Sequence, residues 1–313
     1  MERGRAGRGH EARGDVVGKL RLAIPDLISP SYFPAIAAVE FGFLDAELEL
    51  LFPVTKTYED LRDGRLHFVG GASHAALYAF KDWQGGRLLC ALAQHMYWFL
   101  VVKSSLKARR GDLNAVRNLK IGAAPGPVDG LKQLLRRAGI DPARDVQIGP
   151  VPGLKPGEPA SFGVLAAKAL EEGKLDGFWA NGMGCEVAVK SGIGTLLLDA
   201  RRDGSAEIKG YTFPALVTSE KLIRENPEAA RKARQAVIDA QKALKEDPNR
   251  ATAIGKKLFP PYEASLIAEL IRRDAPYYDP AISPQAIEGM NNLARDMGLL
   301  SKPVNYEDVV WKG

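Results

Sequence analysis

The chain has 313 residues, of which 46% are hydrophobic and 26% charged, and a formal net charge of +5. That length exceeds one ordinary core and suits two lobes, the composition is that of a globular protein, and no apolar run is long enough to span a bilayer. Arg3, Arg5, Arg8, Arg13 and Lys19 against Glu2, Glu11 and Asp15 place +2 on residues 1–20, so only +3 falls on the rest, where no block of Lys and Arg interleaved with aromatics argues for nucleic acid.

Residues 1–18, rich in Arg and Gly, are expected to form a disordered tail. They lack the apolar stretch of a secretory signal. The protein is therefore expected in the cytoplasm, or in the periplasm if a signal is missing from the sequence. Cys90 and Cys185 each lie in apolar surroundings and read as two buried free thiols.

From Lys19 the pattern is strand, turn, helix, repeated. Strands are predicted at 20–24, 48–52, 66–69, 88–93 and 99–102, with helices at 35–41, 58–63 and 75–80. A second unit carries strands at 119–123, 146–148, 177–180 and 195–198, with helices at 130–138, 161–172 and 186–190. The Pro/Gly-rich stretch 151–159 reads as a loop. A strand at 211–218 returns to the first unit. Helices follow at 229–244, 250–258, 262–273 and 284–297, with Ser219 and Asn226 as N-caps and Pro227 at a first helical position. The tail from Pro303 is expected to be held to the surface through Tyr306, Val309 and Trp311. Strands alternating with helices over short connections predict an α/β protein with doubly wound sheets. Lobe one is read as 19–103 and 201–313, and lobe two as an insertion over 104–200, with hinge strands near 100–104 and 198–214.

Several stretches carry a resemblance. They are Pro30-Ser31-Tyr32-Phe33-Pro34 ahead of Gly42-Phe43-Leu44, Val69-Gly70-Gly71-Ala72-Ser73-His74, and Val101-Val102-Lys103-Ser104. Further on come Lys120-Ile121-Gly122, Lys174-Leu175-Asp176-Gly177-Phe178-Trp179-Ala180, Ser219-Glu220-Lys221 and Glu225-Asn226-Pro227-Glu228. In this order the chain resembles the periplasmic-type substrate-binding proteins of nitrate, taurine, alkanesulfonate and thiamine-pyrimidine ABC transporters. The likeness covers nearly everything after residue 18. It implies a type II periplasmic-binding-protein fold, a small-molecule ligand and an ABC transporter permease as partner.

In doubly wound sheets ligands sit beyond the carboxyl ends of strands. That rule selects five loops, and the resemblance places ligand contacts on the same ones. Ser31, Tyr32, Gly71 and Ser73 lie at helix starts, where free amides favour anions; Ser73 could equally be only a cap. His74 follows a Gly-Gly turn. Gln94-His95-Met96-Tyr97-Trp98 could stack on a flat ring, with His95 and Tyr97 the favoured contacts. The loop around Pro125 lacks the hydroxyls that relatives binding sulfonate or nitrate usually carry, and Asp129 adds a negative charge. A neutral, cationic or aromatic ligand is therefore favoured over a hard oxyanion, with a plain N-cap as the other account of Asp129. Asn181, between Trp179 and two glycines, offers a donor and an acceptor, or serves as a left-handed turn residue.

No nucleophile elbow, phosphate-binding loop or metal-ligand spacing occurs, so no cofactor or metal is expected and a binding role is favoured over catalysis. The alternative is a cytoplasmic enzyme on the same fold, acting on a small aromatic or heterocyclic substrate. Sulfinate desulfinases, chorismate-derivative dehydratases and a pyrimidine synthase share this fold. Where the desulfinase nucleophile would stand, this chain has Ser29. If the chain were catalytic, His74 and His95 would be the acid/base candidates.

Overall fold

The computed structural model describes residues 19–154 and 161–313. The expected disordered tail and part of the loop at 151–159 lie outside the described residues. In chain order the first elements are β1 (Leu20–Ile24), α1 (Phe33–Glu40), β2 (Ala46–Leu50), α2 (Val54–Arg62), β3 (Phe68–Ala72) and β4 (Gly86–Ala91). Next come β5 (Phe99–Lys103), β6 (Lys120–Ala123), α3 (Val128–Arg137), β7 (Gln147–Gly149), α4 (Phe162–Glu171), β8 (Gly177–Ala180), α5 (Gly182–Lys190) and β9 (Gly194–Asp199). The chain continues through α6 (Ala200–Asp203), α7 (Ala206–Gly210), β10 (Pro214–Ser219), α8 (Glu220–Glu225) and α9 (Pro227–Glu246). It closes with α10 (Arg250–Leu258), α11 (Pro261–Asp274), α12 (Pro284–Asp296) and α13 (Tyr306–Val309).

The strands form two five-stranded sheets, ordered β2-β1-β3-β10-β4 and β7-β6-β8-β5-β9. In each, four strands run in one direction and the strand contributed from across the molecule's connections runs antiparallel: β10 against β3 and β4, and β5 against β8 and β9. The central strands are apolar on both faces because helices cover both. In β3 all five residues are buried, and in β8 all four. The chain crosses between sheets twice, over residues 92–98 and 200–213.

Three local readings are corrected. Phe99–Lys103, kept with lobe one on sequence, pairs with β8 and β9 in the second sheet, so the first connection precedes it. The helix expected at 75–80 is a 3-10 helix at Ser73–Tyr78. Asp129 lies inside the first turn of α3 rather than at its N-cap, which is Pro127. The N-caps read from sequence at Ser219 and Asn226 do accept the expected amides, from Leu222 and Ala229.

The long α9 buries Ala229, Ala230, Ala233, Ala236, Val237, Ala240 and Leu244 at helical spacing, and this small-residue stripe lies on α1. At the other end of the chain Val309 is fully buried. Val310 bridges Leu88 of the edge strand β4, and the Trp311 amide donates to the Leu88 carbonyl. The tail thus covers an otherwise open sheet edge. Among the described residues no helix is long and apolar enough to cross a membrane.

Candidate functional site

The ends of both sheets converge on one small cavity of about 40 Å³. A space of that size holds roughly three waters, so the lobes are closed on each other, and any larger molecule would have to part them. From lobe one and the first connection come Pro25, Asp26, Tyr32, Phe52, Tyr97 and Trp98; from lobe two come Pro125, Phe162, Trp179 and Asn181. The walls are mostly aromatic. Tyr97 lies 4.6 Å from Trp98 and Trp98 6.0 Å from Trp179, centroid to centroid. Phe52 of one lobe stacks at 6.1 Å on Phe162 of the other.

The polar anchor of this closure is Asp26, which directly follows β1 and Pro25 and is 5% exposed. Its carboxylate accepts from the Ile28 amide at 3.0 Å and from Asn181 Nδ2 at 2.7 Å, across the cleft. Burial pushes this carboxyl up to about 6, even though Ile28, the amides of Phe162 and Gly163, and Asn181 all favour the charged form. Those two amides begin α4, so a lobe-one carboxylate faces the positive end of a lobe-two helix.

Glycines bring this geometry about. A Cβ on Gly184 would stand 2.5 Å from the Gly163 carbonyl oxygen, so only a pair of glycines lets α4 and α5 start side by side. Asn181 caps α5, accepting from the amides of Met183 and Gly184 at 3.0 and 3.2 Å, which leaves its amide nitrogen free to reach Asp26. Its backbone is extended at φ −70°, so the left-handed turn does not occur.

A second set of interlobe bonds flanks the cavity. His74 is fully buried; Nε2 meets the Gly126 carbonyl of lobe two at 3.1 Å, and Nδ1 meets Thr212 Oγ1 at 2.9 Å. Tyr78 donates to Asp129 across the cleft at 2.8 Å. Gly126, at φ +86°, allows this approach, since a Cβ there would stand 2.9 Å from Val54 of the opposite lobe.

Of the residues expected on sequence, Tyr32, Tyr97, Pro125 and Asn181 stand on the cavity wall. Tyr32 and Tyr97 join their hydroxyls at 2.5 Å, and burial drives both phenols above their ordinary range. The others stand apart from the wall. Ser31 is buried against Arg201, and Ser73 pairs with Thr212 without capping a helix. Gly71 sits in β3, where a Cβ would meet Val54 and Tyr58. His74 and Asp129 belong to the interlobe bonds just described. His95, exposed at φ +67°, turns its ring to Tyr277 instead.

Sequence reasoning missed Asp26, because an acid after a strand and a proline reads as a loop residue. It also missed the hinge pair Arg201–Asp274, joined at 3.0 Å with both side chains 1% exposed. Burial opposes ionisation of Asp274, but Arg201, Arg273 and Arg202 outweigh it and hold the carboxyl below the usual range. Ser29 is fully buried, its hydroxyl without a partner among the described residues. Cys90 and Cys185 are buried thiols that burial pushes up to about 12. Among the described residues no cluster of three His, Cys, Asp or Glu is placed to hold a metal.

Residues 103–256 match the model of the NMT1-like family. A search of curated proteins found no match. Among solved structures, a protein of Bordetella bronchiseptica RB50 superposes with a TM-score of 0.73 at 19% identity, covering 94% of each chain. The periplasmic aliphatic sulphonate binding protein SsuA of Escherichia coli gives 0.68 at 12% identity, over 94% of this chain and 92% of that one. The desulfurization enzyme DSZB gives 0.60 at 17% identity, over 91% and 94%. Two sheets with an antiparallel strand in each, joined by two crossings and bearing these likenesses, bear out the expected resemblance: the chain has the periplasmic-binding-protein fold, and its residues 103–256 carry the pattern of the NMT1-like family.

Proposed function

We propose that this protein is an ABC-transporter-type solute-binding protein that captures a small organic molecule between its lobes. The observation that carries the reading is a cavity whose wall comes from both lobes and which closes on interlobe bonds from Asp26 and His74. A ligand that parts the lobes and is then enclosed converts binding into a change of shape, and the closed shape would be what a membrane permease reads. The names of structural neighbours, sulfonate-binding proteins among them, support this reading, and a periplasmic location with it.

The enzyme reading has less to draw on. Among the described residues Ser29 has no hydrogen-bonded base, both His74 ring nitrogens are engaged, and His95 lies away from the cavity wall. The test is a thermal-shift screen against sulfonates, aromatic acids, pyrimidines and small amines, with mass spectrometry of the recovered compounds. A ligand at 100 times its Kd stabilises by about 2.7 kcal/mol and should be recovered intact. A compound consumed during incubation, or a panel that shifts nothing, refutes the proposal.

A further inference from the structure

Among the described residues that line the cavity, Asp26 is the only charged group, and no lysine or arginine joins it. The nearest described guanidinium over a wall ring is that of Arg201, 6.0 Å from the Tyr97 centroid, and it is already paired with Asp274. The other titratable groups on the wall, Tyr32 and Tyr97, are held neutral by burial.

An anion enclosed here would meet two obstacles. The amides that begin α4, the natural seat for a negative group, already face the Asp26 carboxylate. The ligand would also be shut in beside a like charge, with no lysine or arginine among the described wall residues to offset it. Two unit charges about 5 Å apart at an effective dielectric of about 20 repel strongly enough for roughly 100-fold in affinity.

A cation meets the reverse. A carboxylate has about four acceptor positions. In the closed form four donors face Asp26, Ile28 from its own lobe and Asn181 with the amides of Phe162 and Gly163 from the other, so an N–H group of a ligand takes the place of a lobe-two donor as it parts the lobes. The aromatic walls reward the same choice, because the faces of Trp and Tyr rings attract cations, tryptophan most of all. Trp98 and Trp179, tilted 49° to each other, offer two such faces to a flat molecule.

We infer that the site takes a small aromatic cation bearing N–H donors, and that Asp26 is the residue that selects it over an anion of the same shape. This rests on the solute-binding reading and names the ligand class within it. It sets the chain apart from the sulfonate-binding proteins whose fold it shares.

The experiment is calorimetric titration at pH 7.5 with matched probes. Benzamidine, benzylamine and 4-aminopyridine with an alkylated ring nitrogen are the cations; benzoate, phenylacetate and benzenesulfonate are the anions. The tightest cation should bind the wild type at least about 100-fold more tightly than the tightest anion. Asp26→Asn, checked for folding by circular dichroism, should weaken that cation at least 10-fold and leave the anions no weaker. An anion that binds the wild type as tightly as the best cation overturns the inference, as does binding by none of the six. The wild-type comparison decides even if the variant does not fold. The broader screen separates the two failures: an anion that stabilises the protein and is recovered intact leaves a solute-binding protein with a different selectivity.

Discussion

Replacing Gly184 by alanine probes the packing that aims α4 at the cavity. In an open helical position the change stabilises by roughly 1 kcal/mol, because alanine loses less backbone entropy. At Gly184 the new Cβ would stand 2.5 Å from the Gly163 carbonyl oxygen and 2.6 Å from its Cα, where ordinary contact begins at 3.4 Å. The shortfall is about 0.9 Å. What it meets is backbone in the first turn of α4, so no side chain can rotate away. Because the obstacle is backbone, the cost falls in the upper part of the roughly 1–3 kcal/mol of overpacking, about 2–3 kcal/mol, and after the helical gain a net loss of about 1–2 kcal/mol is expected. At an unfolding entropy of about 2.1 cal/mol/K per residue, 313 residues shift by roughly 1.5 °C per kcal/mol, so the melting temperature should fall by about 2–3 °C. Differential scanning calorimetry measures it, with Gly149→Ala as control because nothing lies within 4 Å of a Cβ there. A Gly184→Ala protein as stable as the wild type, or more so, would refute the argument, since the sign of the effect depends on the close approach of the two helices.

The pH dependence of stability should carry the mark of Asp26. Its folded carboxyl titrates at about 6 against an ordinary 3.8, so its contribution is fully present below 3.8 and is lost as pH rises through 6. At about 1.36 kcal/mol per unit, the stability of Asp26→Asn relative to wild type should rise by roughly 2–3 kcal/mol between pH 4 and pH 8. Urea midpoints at the two pH values measure it, and a constant difference would contradict the assignment. Arg201→Met should cost about 3 kcal/mol at pH 7, because it strips a fully buried carboxylate of its one equally buried partner among the described ion pairs. A loss under about 1 kcal/mol would mean that Arg202 and Arg273 already neutralise Asp274 between them.

The architecture was legible because its signals are local. Alternating strand and helix patterns, the caps at Ser219 and Asn226, and the apolar marks at Val309 and Trp311 each depend on a few neighbouring residues. The site was legible only in part. The rule that ligands gather beyond strand ends selected loops of which several meet at the cavity, and Tyr32, Tyr97, Pro125 and Asn181 stand on its wall. Within a loop, however, a side chain's direction is set by contacts from far along the chain. His74 reads as a ligand contact until Gly126, 52 residues away, and Thr212, 138 away, take its two nitrogens. His95 and Tyr97 look equivalent on sequence, yet a left-handed turn at His95 sends its ring outward. Asp26 is the sharpest case. Its partner Asn181 is 155 residues distant and in the other lobe, so no window of sequence contains the bond that gives the acid its meaning.

The placing of the tryptophans has a practical consequence. The chain has four, and two of them, Trp98 and Trp179, line the cavity with ring centroids 6.0 Å apart. Trp98 belongs to the connection between the sheets and Trp179 to the second sheet. Any parting of the lobes therefore admits water beside two indoles at once, while Trp83 is buried away from the cavity. The opening and closing of this protein is thereby written into its own emission spectrum, readable in real time without a dye.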